Sequence, residues 1–369
     1  MDNTVYFLLQ HLRIGGVEIA VTRAANALVE RGYNVCFVLV LPINQIKDQI
    51  NHKIQIRTLT KLGKENNITP FYKLKRRIIT CWKIRQFMKS LKGTTLISTR
   101  NEYNIMMSKF VDSTNRRIAQ LHHDYKPHKG MVENFASDYS NVDYLFTLTE
   151  DVRCEIEEIM RPNNQYTKIV TIPNFISDTI IEECCKTDKR RDIAIAVGRL
   201  APEKGFLRLL DVWKRVLDIS GKKYKLYIVG EGIERRALEE KIESLAMRDI
   251  VILTGAIDNN ETINLMKHSK VYCMSSLSEG FSLTILESMA CATPQVAFDV
   301  RVGPRNLILQ GETGYLIEDG DIDSYARKII ELLESDDTWL LFSQKSINRA
   351  YDFSESVVMD KWEKILNKH

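Results

Sequence analysis

Short apolar runs recur along the whole chain, and stretches with helical apolar spacing separate them. In the first half the runs fall at 5–9, 35–41, 94–98, 117–121, 144–148 and 169–172. In the second half they fall at 192–197, 225–229, 250–254, 270–274, 295–298 and 314–317. Runs this short with few polar interruptions suit strands buried on both faces, as in parallel sheets covered by helices. Between them, 17–31, 150–160 and 261–267 carry apolar residues at helical spacing, and Gly32 sits where the first of these helices must stop. Further helices are expected from Asp321, from Thr338 and over 355–367, the last with Trp362 and Leu366 on one face. Strand, glycine loop, helix, strand is the order of a doubly wound α/β fold. A chain of 369 residues is long enough for two such domains. No Gly-x-Gly-x-x-Gly is present, so the first glycine loop, Gly15-Gly16, is not a dinucleotide fingerprint.

The densest chemistry follows the strand at 271–274. The stretch Ser275-Ser276-Leu277-Ser278-Glu279-Gly280-Phe281-Ser282-Leu283-Thr284-Ile285-Leu286-Glu287 is a loop that opens a helix near Ser282 or Leu283. A helix start offers unpaired N–H groups and the positive end of the dipole, which suit a diphosphate. Gly280 permits close backbone approach. Glu279 and Glu287 can each accept two hydrogen bonds from a diol. The bland alternative is a capping carboxylate and a solvated helix carboxylate.

Within Ser-x-x-Glu-Gly-Phe-x-Leu-x-x-Leu-Glu-x-Met-Ala, the Glu-x7-Glu spacing resembles that of retaining glycosyltransferases, in particular glycosyltransferase family 4 with the GT-B fold. Gly198-Arg199-Leu200-Ala201-Pro202-Glu203-Lys204-Gly205 resembles that family's Gly-Arg-Leu-x-x-x-Lys-Gly segment, and Gly15-Gly16 its Gly-Gly-x-Glu loop. The resemblance implies two Rossmann-like domains facing across a cleft. The boundaries it suggests are 1–175 for the acceptor side, 176–350 for the donor side, and a terminal helix in 351–369 crossing back to the first domain.

The resemblance also implies site roles. Arg199 and Lys204 hold the diphosphate, with Gly16 and the amides of Ser282, Leu283 and Thr284. Glu279 binds sugar hydroxyls and Glu287 the ribose. His122, with His123 in reserve, contacts the transferred sugar. Gly15, Gly198, Gly230, Gly255, Gly280 and Phe281 complete the donor site. The implied reaction moves a sugar from a nucleotide-sugar, expected to be a UDP-sugar, to a hydroxyl of a glycan or lipid-linked acceptor. The anomeric configuration is retained. Bacterial capsule, lipopolysaccharide and teichoic-acid assembly all fit. No Asp-x-Asp motif occurs, and the cationic clamp can stand in for a metal, so neither a metal nor another cofactor is expected. An epimerase-like nucleotide-sugar enzyme and a non-catalytic GT-B scaffold subunit are the competing readings.

Charge adds a partner. Residues 1–175 hold 25 Lys+Arg against 16 Asp+Glu, while the remainder holds 27 against 32. The excess is concentrated in 71–92, where Lys73, Lys75, Arg76, Arg77, Lys83, Arg85, Lys89 and Lys92 alternate with Leu74, Ile78, Trp82 and Phe87. Such a helix suits the surface of an anionic membrane. A solvated basic face is the alternative, and nucleic acid is not expected because no binding motif accompanies the charge. No apolar run reaches a membrane span, and 5–9 reads as a strand, not a signal peptide. Cys36, Cys81, Cys154, Cys184, Cys185, Cys273 and Cys291 show no metal spacing and suit a reducing cytoplasm. The expected location is cytoplasmic, peripheral on the inner face of the membrane.

Overall fold

The structure, a computed structural model, describes residues 3–61, 70–126, 129–184 and 190–367, without the side chains of 70–73 and 129–131. The side chain of Lys73 and residues 185–189, Cys185 among them, lie outside that description. The chain divides into two compact units, Met1–Pro173 with Met359–His369, and Asn174–Val358.

In the first unit the order is β1 (Thr4–Leu9), α1 (Gly16–Glu30), β2 (Asn34–Leu39), β3 (Gln55–Thr58), α2 (Pro70–Ser90), β4 (Thr95–Ser98), α3 (Asn101–Phe110) and β5 (Arg116–Gln120). Then come α4 (Lys129–Asp138), β6 (Tyr144–Thr147), α5 (Glu150–Met160) and β7 (Lys168–Thr171). Among the described residues the strands form one parallel sheet ordered β3-β2-β1-β4-β5-β6-β7. Its central strands carry fully buried Phe7, Leu8, Leu96, Ile97, Ile118 and Leu145, which accounts for their near-continuous apolar runs. α1 buries Val21, Ala24, Ala25 and Leu28. It ends as the glycine predicts. Gly32 has φ +86°, its N–H donates to the Val29 carbonyl, and the Tyr33 N–H reaches back to Leu28.

One part of this unit was not legible beforehand. β3, Gln-Ile-Arg-Thr, is exposed at all four positions. As an edge strand it is held by backbone pairing to β2, so no apolar pattern marks it. α2 divides its faces sharply. Ile84, Phe87, Met88 and Leu91 at its end are buried, while Leu74 (57% exposed), Ile78 (61%) and Trp82 (51%), four residues apart, form an uncovered apolar strip. Exposed Arg85 and Lys89 continue that strip at helical spacing. No described helix is long and apolar enough to cross a membrane.

The second unit runs α6 (Asp178–Cys184), β8 (Arg191–Val197), α7 (Phe206–Ser220), β9 (Lys225–Val229), α8 (Arg235–Ser244), β10 (Val251–Gly255), α9 (Asn259–Lys267) and β11 (Ser269–Met274). It continues with α10 (Leu283–Ala290), β12 (Gln295–Phe298), α11 (Pro304–Leu307), β13 (Gly314–Ile317), α12 (Ile322–Glu334) and α13 (Asp336–Tyr351). Its parallel sheet is ordered β10-β9-β8-β11-β12-β13. Each sheet thus steps outward from its first strand in one direction, then jumps to the other side.

The last helix, α14 (Glu355–Leu366), begins in the second unit and finishes in the first. Trp362, 2% exposed, meets the ring of Phe146 edge-on at 5.1 Å between centroids and lies 6.4 Å from Phe7. The buried Arg116 guanidinium donates to the Leu366 carbonyl, and Tyr33 donates to Asn367 Oδ1 at 2.8 Å. These bonds satisfy groups at the open end of the helix.

Candidate functional site

In an open parallel sheet, the place where strand order reverses leaves a crevice at the carboxyl ends of two neighbouring strands. In the second unit that place lies between β8 and β11. The loops leaving them are 198–205 and 275–282, the two segments singled out from the sequence.

Close backbone packing explains the glycines there. Gly230 has φ +139°, and a Cβ at that position would lie 1.9 Å from the Gly198 carbonyl oxygen. The Gly230 N–H donates to the Gly255 carbonyl at 2.9 Å. Gly198, Gly230 and Gly255 therefore line up across the ends of β8, β9 and β10. Gly205 sits at φ +62°, and a Cβ would lie 2.2 Å from the Ser275 carbonyl oxygen. Only a residue without a side chain brings the loop after β8 this close to the loop after β11.

That approach assembles a polar cluster. Lys204 Nζ donates to Glu279 Oε1 at 2.6 Å, and Ser276 Oγ donates to the same oxygen at 2.7 Å. Glu279 Oε2 has no hydrogen-bond partner among the described residues. The Glu279 side chain is only 10% exposed. The loop is held from below: Leu277 N–H donates to the Glu203 carbonyl at 2.8 Å, and Ser275 Oγ to that of Lys204 at 3.1 Å. Gly303 completes the wall, with φ +100° and room for only 2.9 Å between an added Cβ and the Glu279 Cβ.

Ser282 caps α10, its Oγ accepting from the Ile285 N–H at 3.3 Å. Among the described residues the amides of Leu283 and Thr284 make no backbone hydrogen bond, so two first-turn donors remain at the positive end of the helix. Tyr272 donates to Thr284 Oγ1 at 2.6 Å and fixes that side chain. Phe281 is buried edge-on against Phe353 at 5.9 Å. Glu287, a turn further on, is 7% exposed.

Arg199 stands apart from this cluster. Its guanidinium pairs with Glu203 and its side chain is 72% exposed. Lys204, Glu279, Ser276 and the glycines are brought together, whereas the second cation of the anticipated clamp faces solvent. Glu279 therefore faces one cation, not a field of two.

In the first unit, Gly15 caps α1 in extended backbone, and a Cβ on Gly16 would meet nothing within 4 Å. The loop is open at Gly16, whereas a Cβ on Gly15 would lie 2.6 Å from Glu18 Oε2. His122 follows β5 and is buried, its Nε2 3.2 Å from Gln120 Oε1. Burial, and then the neighbouring charge of His123, push its pKa down to about 3. The ring is therefore neutral throughout the ordinary pH range. The switch point of this sheet lies between β1 and β4, and there Arg100 donates to Gln10 across the two strand ends. Buried Ser98 Oγ and Thr149 Oγ1, at the ends of β4 and β6, have no hydrogen-bond partner among the described residues. Gly15, Gly16 and His122 share a unit, and β4 separates their strands.

Sequence reasoning missed Ser276 and Arg208. Ser276 lay inside the quoted motif, and its position three before Glu279 was the available signal. Arg208 lies on a helix outside every quoted motif. No cluster of three or more His, Cys, Asp or Glu suited to a metal occurs among the described residues.

Residues 180–351, which make up most of the second unit, match the family model described as glycosyl transferases group 1. Over its full length the chain is 27% identical to an uncharacterized glycosyltransferase of Haemophilus influenzae, spanning 99% of this chain and 100% of that protein. It is 22% identical, over 98% of both chains, to the Campylobacter jejuni GalNAc-alpha-(1->4)-GalNAc-alpha-(1->3)-diNAcBac-PP-undecaprenol alpha-1,4-N-acetyl-D-galactosaminyltransferase. Several other curated relatives are covered over less than two thirds of their own length. Among solved structures, the S. aureus TarM G117R mutant in complex with Fondaparinux, alpha-GlcNAc-glycerol and UDP superposes with a TM-score of 0.77 at 15% identity, over 100% of both chains. At that identity the likeness is one of fold, the GT-B fold of two parallel-sheet α/β domains.

Proposed function

We propose that this chain is a retaining glycosyltransferase of family 4 that moves a sugar from a UDP-sugar to a hydroxyl of a lipid-linked glycan in bacterial cell-surface polysaccharide assembly. The observation that carries the reading is Glu279. One of its oxygens is fixed by Lys204 and Ser276 and the other is unoccupied, at the switch point of the sheet and beside the start of α10. A carboxylate so held can accept from sugar hydroxyls without reorganising. Lys204 and the amides of Leu283 and Thr284 take the diphosphate, and Arg199 swings from Glu203 to join them. Glu287 takes the ribose diol.

In the reaction the bond from the anomeric carbon to the diphosphate oxygen breaks, and a bond to the acceptor oxygen forms on the same face. The acceptor proton goes to the departing phosphate oxygen. Neutral His122 donates a hydrogen bond to the transferred sugar. Cations and helix amides compensate the leaving charge, and no metal is required. The relatives favour the substrate classes. The TarM structure was solved with UDP, and the Campylobacter relative's name carries a PP-undecaprenol-linked sugar. The uncovered strip Leu74, Ile78 and Trp82, set among basic side chains, favours work at an anionic membrane surface on its cytoplasmic face.

A thermal-shift panel of UDP, GDP, ADP, CDP and their common sugars tests this on the wild type, Lys204→Ala and Glu287→Ala. A ligand at a hundredfold excess over its Kd adds about 2.7 kcal/mol. The expected result is stabilisation by uridine nucleotides, lost in both variants. A folded wild type that responds to no nucleotide overturns the reading.

A further inference from the structure

Arg208, in the first turn of α7, uses all three guanidinium nitrogens. Nε donates to the Ser275 carbonyl at 2.6 Å, Nη2 to the Ser276 carbonyl at 2.5 Å, and Nη1 to Asp319 Oδ1 at 2.6 Å. Its Cζ lies 4.2 Å from the centre of the Phe298 ring. A planar fork presented to two successive carbonyls fixes the direction of the chain between them, which a point charge does not. Those carbonyls belong to the first two residues of the loop that carries Glu279. The hydroxyl of Ser276 is itself the second donor to Glu279 Oε1. Phe298 and Asp319 come from the end of β12 and from the segment after β13, so the fork is braced by two further parts of the sheet.

We infer that Arg208 is a positioning residue whose grip on Ser275 and Ser276 sets the Glu279 carboxylate against the sugar moiety of the donor. The inference rests on the glycosyltransferase reading and deepens it. Within the candidate site Arg208 touches only the loop, while Phe298 and Asp319 brace it from outside, so its influence falls on what Glu279 recognises. Glu287 and the amides of α10 belong to a helix with its own cap at Ser282, and nucleotide recognition there is independent of Arg208. The consequence is a separation: loss of Arg208 weakens the sugar part of donor recognition and leaves the nucleotide part.

The experiment compares wild type, Arg208→Gln, Arg208→Lys and Asp319→Asn. Kd is measured for UDP and for the UDP-sugar that the thermal panel selects, alongside kcat and KM, and amide exchange is followed in peptides covering 275–281. In Arg208→Gln the extra affinity contributed by the sugar falls about tenfold and kcat on the order of a hundredfold, while UDP affinity stays within about twofold. Exchange in 275–281 accelerates. Arg208→Lys recovers part of the loss, and Asp319→Asn moves the same quantities less. Equal loss of UDP and UDP-sugar affinity, or unchanged exchange in 275–281, overturns the inference. A wild type that binds no nucleotide-sugar overturns the functional reading and the sugar role together. The exchange data then still report whether Arg208 holds the loop.

Discussion

His122 gives a quantitative test through pH. The ring is buried and its pKa is lowered from the ordinary 6.5 to about 3, first by desolvation and second by His123. The unfolded chain binds a proton near pH 6.5, and the folded chain does not until much lower. Stability is therefore complete above about pH 6.5 and falls as pH drops toward the folded value. Each pH unit in that window costs about 1.4 kcal/mol for a single group. At pH 5 the folded ring is still neutral and the unfolded ring almost wholly charged, so the cost there is about 2 kcal/mol. At pH 7.5 it is close to zero. The figure at pH 5 is set almost entirely by the unfolded value. Arg116–Gln120, the strand that leads to His122, supplies the probe. Its amide exchange, corrected for intrinsic rates, gives the opening free energy at both pH values in wild type and in His122→Gln. Relative to the variant, the wild type should lose about 2 kcal/mol between pH 7.5 and pH 5. Equal losses in the two proteins, or an imidazole that titrates near 6.5 by NMR, would refute the reasoning.

Two further outcomes follow from packing. Trp362→Ala should destabilise the first unit by about 3–5 kcal/mol, read as faster exchange in β1 and β6, while Trp362→Phe keeps most of the stability. A cost below about 1 kcal/mol would mean that α14 is not part of that core. On α2, Trp82→Ser and Ile78→Ser should leave thermal stability unchanged, because both side chains are exposed, yet lower binding to phosphatidylglycerol vesicles about tenfold. Binding to phosphatidylcholine vesicles of equal strength, or none to either, would remove the membrane role.

The sequence was most informative where one force dominates. Buried parallel strands need apolar side chains on both faces, and for that reason β9, β12 and β13 were legible to the residue, while α5 was legible from Val152, Ile156 and Met160 at helical spacing. The carboxylates and Lys204 were legible because their spacing is tied to a strand end and a helix start. Partner choice was not. Arg199 and Lys204 look equivalent along the chain, but Gly205 turns the backbone so that Lys204 points at Glu279 while Arg199 finds Glu203 four residues on. Arg208 was invisible for a related reason. Its bonds go to main-chain carbonyls 67 and 68 residues away, and a carbonyl carries no sequence signature. β3 failed in the opposite sense, since a strand held only through its backbone needs no particular side chains.

The path of α14 has a consequence for how the molecule is made. The second unit is continuous, Asn174–Val358, whereas the first is interrupted by it and closed only by Met359 onward. On the ribosome the seven strands of the first sheet emerge early, with the faces of Phe7 and Phe146 still lacking Trp362. At roughly 5–20 residues per second, the intervening 185 residues take about 10–40 s to synthesise. Throughout that interval the nascent chain displays an apolar surface that Trp362 covers later. The unit that starts first is thus the last to mature, and a protein stalled before residue 359 exposes the binding surface a chaperone would recognise.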